Sequence, residues 1–168
     1  MPYTGNHRRI VVYGAIAKDG RQLFRTREMF DAPTFVWYLE ELQRHFGKVA
    51  VVMDRASPHR AKAVKELQRE NKSIKIIYLP KGSPYRNAVE ECWRQGKQVL
   101  LVSEYYRTFV DLCNVIITYY RTVRFKLDIF KFVQRRRHFA PINDRHYTNA
   151  DPIPWGNQET IWIRAHIR

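Results

Sequence analysis

Two short apolar runs constrain this chain most. VAVVM (Val49 to Met53) and IKIIY (Ile74 to Tyr78) are each too short for a buried helix. The first shows no polar alternation at all, the pattern of a strand covered on both faces of a parallel sheet. Each run gives way to a polar loop and then to a segment of helical spacing, KVAVVMDRASPHR in one case and IKIIYLPKGSPYRNAVEECWRQGK in the other. Repetition of strand, loop and helix predicts an α/β fold with parallel strands.

The flanking segments extend this pattern. RRIVVYGAIA (Arg8 to Ala17) and QLFRTREMF (Gln22 to Phe30) bracket Asp19-Gly20, a pair suited to the positive φ angles of a hairpin turn. Asp19 is therefore read as a turn residue. Asp31 followed by Ala-Pro predicts a helix start, with Phe35, Leu39, Leu42 and Phe46 on its inner stripe and Gly47 at its end. A second helix is expected from His59 to Asn71, with Ala61, Val64 and Leu67 inward. IKIIYLP is expected as a buried strand ended by Pro80. One helical pattern then runs from Asn87 to about Tyr120, with Gly96 as its weak point.

Beyond Tyr120 the texture changes. Residues 121–168 hold ten Lys/Arg against four Asp/Glu and include Arg135-Arg136-Arg137. The organisation expected is a domain over residues 1–132 and a basic, loop-rich tail over 133–168, closing in a short strand at IWIRAHI.

Charge narrows the function. Thirty Lys and Arg face 16 Asp and Glu, a formal charge of +14. On one small domain such a surplus points to a nucleic-acid partner, because released counterions drive binding to a phosphate backbone. No lipidation signal, amphipathic basic helix or membrane-length apolar run is present, so no membrane partner is expected. Cys92 and Cys113 lack paired spacing, and the six histidines form no ligand-spaced pair. These features, with an N-terminus lacking a signal-peptide apolar region, fit a cytoplasmic protein.

Within this basic chain two carboxylates stand at privileged places. Asp54 directly follows VAVVM, where a strand delivers a ligand to the carboxyl edge of a sheet. Glu90 falls in the first turns of the following helix. Glu91 projects about 100° away from it, and burial of Trp93 carries Glu90 toward the sheet. Paired carboxylates suit Mg²⁺, or Mn²⁺ in its place, because hard cations prefer oxygen ligands. Such ions drive chemistry on phosphate backbones.

DRASPH followed by LPKGSPYRNAVEECW resembles the catalytic core of mariner-superfamily DDE transposases, in their bacterial and archaeal insertion-sequence branch. Relatives carry Asp-Asn-Ala-x-x-His around the second catalytic Asp, and Leu-Pro-x-x-Ser-Pro-x-x-Asn-Pro-x-Glu-x-x-Trp around the catalytic Glu. The matches here are Asp54, Ala56 and His59, then Leu79, Pro80, Ser83, Pro84, Asn87, Glu90 and Trp93. RRIVVYGAIAKDG and YYRTVRFKLDIFKF resemble other parts of the family, so the likeness covers roughly residues 8–132.

The resemblance implies a ribonuclease-H-like fold, a mixed sheet flanked by helices. It also implies strand cleavage and transfer of DNA by divalent-metal phosphoryl transfer. Asp54 and Glu90 would be catalytic and metal-binding, with His59, Asn87 and Trp93 positioning them. Arg55, Lys81, Arg86, Lys97, Arg135, Arg136 and Arg137 would contact DNA, at transposon ends and target. Arg55 replaces the family's Asn and Ala88 its Pro. The family's first catalytic Asp lies on a strand upstream of the one beginning at Arg8, and the seven residues before Arg8 hold no acid. The first strand is therefore expected to be missing. The chain would be a truncated or split-frame form, weak or inactive alone, pairing as a homodimer or with a chain supplying that strand. Two alternatives are a non-catalytic DNA-binding relic and another ribonuclease-H-like nuclease, for which Asp19 and Asp31 are the candidate third acids.

Overall fold

A computed structural model describes residues 9–81, 87–102, 104–134 and 159–165. Its order is β1 (Val11–Ala17), β2 (Gln22–Arg27), α1 (Ala32–Phe46), β3 (Val49–Met53), a 3-10 turn (Pro58–Arg60), α2 (Lys62–Glu70), β4 (Ile74–Tyr78), α3 (Val89–Leu101), α4 (Phe109–Thr122), α5 (Ile129–Gln134) and β5 (Glu159–Ala165). The mixed α/β architecture agrees with expectation.

The strands form one sheet in the order β2-β1-β5-β3-β4. β1 is antiparallel to β2 and β5, while β3 is parallel to β4 and β5. The terminal strand expected at IWIRAHI is thus β5, and it lies in the middle of the sheet. Its two neighbours, β1 and β3, were legible as strands. Its placement between them was not.

Helices cover both faces, which is why β1 and β3 are buried throughout. Alternate residues of β1 serve opposite cores, as the two-residue period of a strand requires. Tyr13, Ala15 and Ala17 join Val51, Met53 and the α1 stripe in one cluster. Val12 and Ile16 join Val52, Trp93, Ile116 and Tyr120 in the other. The α1 stripe of Phe35, Leu39, Leu42 and Phe46 is buried as its spacing predicts. Asp31 caps the helix, its Oδ1 accepting from Thr34 N at 2.9 Å, and Gly47 closes it at φ 79°. Gly20 takes φ 88° in the β1–β2 hairpin.

Four local expectations are corrected. Residues 59–71 are not one helix, because Ala61 adopts an extended ψ of 155° and separates the 3-10 turn holding His59 from α2. β4, expected as a buried strand, is an edge strand with Lys75 exposed. A cation on an edge discourages pairing with another chain. The long pattern from Asn87 divides into α3 and α4, since Thr108 and Asp111 form a reciprocal capping box that starts a new helix. Val99, Val102 and Val115 are exposed, so no continuous inner face runs through both helices.

Gly96 is likewise no weak point. α3 continues through it, and a Cβ there would stand 2.0 Å from the Tyr120 hydroxyl. The glycine lets α4 approach. Downstream, residues 123–128 are non-helical, so helix within YYRTVRFKLDIFKF is confined to the end of α4 and the six residues of α5.

Candidate active site

Asp54 begins the loop after β3, at the carboxyl end of the strand. Six contacts hold that loop. Asp54 Oδ1 accepts from Ala56 N at 3.0 Å and lies 2.7 Å from His59 Nδ1. His59 Nδ1 also lies 3.2 Å from the Asp54 carbonyl. Facing two acceptors, Nδ1 is the nitrogen that carries hydrogen. Tyr78 donates its hydroxyl to the His59 carbonyl at 2.7 Å, tying the 3-10 turn to β4. Arg55 Nε donates to Leu79 O at 3.3 Å, and Leu79 N donates to Met53 O at 2.7 Å.

The His59 ring is fully buried while the Asp54 side chain keeps 24% exposure. Phe35 lies 4.2 Å from the imidazole at 34°, and Phe30 meets it edge-on at 5.7 Å. Nε2 has no hydrogen-bond partner among the described residues. This histidine is a wedge between α1 and the loop, locked by packing on one side and aimed at the carboxylate on the other. Phe35 was legible as core, whereas its part in fixing Asp54 through His59 was not.

Glu90 lies in the first turn of α3 and is half-buried. Asn87 is 1% exposed, and its Oδ1 accepts from Val89 N at 3.2 Å while its carbonyl accepts from Glu90 N at 3.1 Å. Asn87 therefore sets the helix start that carries Glu90. Glu91 is committed elsewhere, to Arg94 at 2.6 Å and Gln95 at 2.9 Å. Trp93 is buried against Phe24 and Tyr120, with ring centroids 5.8 and 5.4 Å away. A Cβ on Gly14 would stand 2.7 Å from Trp93 Cη2, so β1 needs glycine there for α3 to seat. Gly14 went unnoticed in the sequence, where it reads only as a small residue in a strand.

Val52, two residues before Asp54, shares one core cluster with Ala88 and Val89, the residues just before Glu90. The end of β3 and the start of α3 thus border the same layer. Among the described residues no group of three or more His, Cys, Asp or Glu could hold a metal ion. β5, which runs beside β3, bears no acid from Thr160 to Ala165, and its Glu159 pairs with Val49 at the far end of β3. Asp19 bonds to Arg21 within the hairpin turn and Asp31 caps α1. The described residues do not fit a complete three-acid Mg²⁺ or Mn²⁺ site.

Of the residues expected to meet DNA, Arg55, Lys81 and Lys97 are exposed. Arg86 and Arg135 to Arg137 lie outside the described residues, as do Ser83 and Pro84 of the resemblance. A groove of about 700 Å³ lined by Arg9, Thr26, Arg27, Met29, Phe109 and Cys113 lies between β2 and α4, away from the acidic pair. No helix among the described residues is long and apolar enough to cross a membrane.

Residues 1–113 match a family model described as DDE superfamily endonuclease. No curated protein matches the chain.

Proposed function

This chain belongs to the DDE superfamily of endonucleases, and we propose on that premise that it is a mariner-type, insertion-sequence transposase domain with a ribonuclease-H-like sheet. Its role is to bind DNA at element ends and target, and to present Asp54 and Glu90 to the phosphate backbone. The observation that carries this reading is the Asp54 loop. A carboxylate at the carboxyl end of a buried strand, gripped by a fully buried histidine 2.7 Å away, is held far more firmly than a helix cap requires.

Each residue has a task that its surroundings support. His59 and Ala56 N–H orient the Asp54 carboxylate, and Asn87 orients the turn bearing Glu90. Trp93 docks that helix on β1. The surplus of Lys and Arg, including exposed Arg55, Lys81 and Lys97, draws in the polyanion. In this family a divalent ion held by three acids supplies the cleavage chemistry. With two candidate acids among the described residues, the expectation is a chain that binds DNA and does not cleave it unaided.

Supercoiled plasmid with Mg²⁺ or Mn²⁺ tests the reading. The expected result is DNA binding that weakens steeply with salt, is unchanged in Asp54→Asn, and brings no nicking above that variant's background. Robust nicking abolished by both Asp54→Asn and Glu90→Gln would overturn the claim of incompleteness. Absence of salt-sensitive binding would overturn the DNA-binding role itself.

A further inference from the structure

β5 is the only bridge between the two halves of the sheet among the described residues. β1 and β3 do not pair with one another. Tyr13 to Ala17 of β1 pair with Ala165 back to Ile161, and Val49 to Met53 of β3 pair with Glu159 to Ile163. Without β5 the sheet separates into a β2–β1 ribbon and a β3–β4 ribbon. A gap one strand wide remains, about 10 Å between the flanking backbones, lined on both sides by unsatisfied N–H and C=O groups. These edges belong to two strands that are buried at every residue.

The bridging strand is also remote in the chain. Residues 135–158 separate α5 from β5. An extended segment of that length reaches about 80 Å, more than the diameter of a domain this size. Such a connection leaves β5 able to enter the gap of its own chain or that of a neighbour. The ladder that receives it is made of backbone groups identical in every copy.

We propose that the gap between β1 and β3 is a strand-acceptor site, and that β5 of a second copy of this chain enters it by reciprocal exchange. Exchange of an identical element makes a dimer with no new interface chemistry, since every hydrogen bond lost in one chain is recovered in the other. The register gives the exchange a consequence at the candidate site. Ile163 pairs with Met53, so Arg164 comes level with Asp54 on the neighbouring strand. Exchange would therefore bring Arg164 of one copy beside the Asp54 loop of the other. This inference concerns strand pairing and is independent of whether the chain cleaves DNA.

Cross-linking of full-length chains tests it. Ala17 and Ile161 are directly opposed on β1 and β5, close enough for a disulfide if both become cysteine. In a Cys113→Ser background, chains with Ala17→Cys are mixed with chains bearing Ile161→Cys, refolded together from urea and oxidised. Exchange yields a reducible heterodimer band, and about half of the exchanged dimers contain a productive pair. A chain carrying both substitutions supplies the control, and Ala17→Cys with Trp162→Cys supplies an out-of-register one. If the doubly substituted chain closes only on itself and the mixture gives no heterodimer, exchange is refuted. If neither forms a link, β5 does not occupy the gap in this register and the acceptor site is refuted with it. Heterodimer formation equal in the out-of-register control also overturns the proposal, because it signals random collision.

Discussion

Replacing Gly96 with Ala probes how α3, and Glu90 with it, is held in place. Two opposing effects meet at this position. Ala favours a helix interior over Gly by about 1 kcal/mol. The new Cβ, however, would stand 2.0 Å from the Tyr120 hydroxyl and 2.8 Å from Tyr120 Cζ, where ordinary contact begins at 3.4 Å. The phenol ring is itself wedged between Trp93 and Phe24, so it cannot simply swing away. Overpacking of this kind costs about 1–3 kcal/mol or more, enough to outweigh the propensity gain.

Tyr120→Phe separates the contributions. Its hydroxyl is buried and has no hydrogen-bond partner among the described residues, so its removal is expected to be neutral or stabilising by up to about 1 kcal/mol. In that background Gly96→Ala faces a ring carbon at 2.8 Å in place of an oxygen at 2.0 Å, a conflict that small shifts of α4 can absorb. The expected outcome in urea denaturation is a destabilised Gly96→Ala, a near-neutral Tyr120→Phe, and a double variant more stable than additivity allows by about 1 kcal/mol or more. Strict additivity, or a stabilised single Gly96→Ala, would refute the claim that glycine is there to admit Tyr120.

Four further outcomes are expected. His59→Ala removes a ring packed on Phe35 and the partner of Asp54, and should lower stability by about 2–4 kcal/mol in denaturant titration, while Tyr78→Phe should cost about 1 kcal/mol. Hydrogen bonds from the Thr34 hydroxyl and N–H hold the Asp31 carboxyl below its ordinary 3.8. Its stabilisation is therefore complete above that value and lost as pH falls through the depressed native one, so acid denaturation of Asp31→Asn should lack this step. Burial pushes the Cys92 thiol up to about 12. Ellman's reagent at pH 8 should leave Cys92 unmodified in the native chain and react with it only after denaturant is added, as peptide mapping would show.

Legibility in the sequence followed the range of the forces involved. The hairpin at Asp19-Gly20, the Asp31 cap and the α1 stripe depend on neighbours within a few residues, and local pattern sufficed for each. Val49 to Met53 announced a two-faced burial because five apolar residues in a row leave few other options. The break between α3 and α4 was overlooked although Thr108 and Asp111 carry a capping-box spacing, because apolar periodicity on either side masked it. Gly14 and Gly96 could not be read, since their purpose lies in Trp93 and Tyr120, far along the chain. At the candidate site, Asp54 and Glu90 stood out by their places after a strand and at a helix start, and His59 and Asn87 through family resemblance. The packing of Phe30 and Phe35 around His59 needed three dimensions.

The position of β5 also sets a timetable. Of the five described strands it is last to leave the ribosome and third across the sheet. Its pairs with β1 join residues as distant as Tyr13 and Ala165, so little of the chain-closing entropy can be offset early. While α1 through α5 are being made, β1 and β3 wait with open edges and apolar faces, the state in which nascent chains meet chaperones or one another. Any premature stop before residue 159 would make that waiting state permanent. Among the described strands, closure of the sheet thus waits on seven residues that join what the first fifty began.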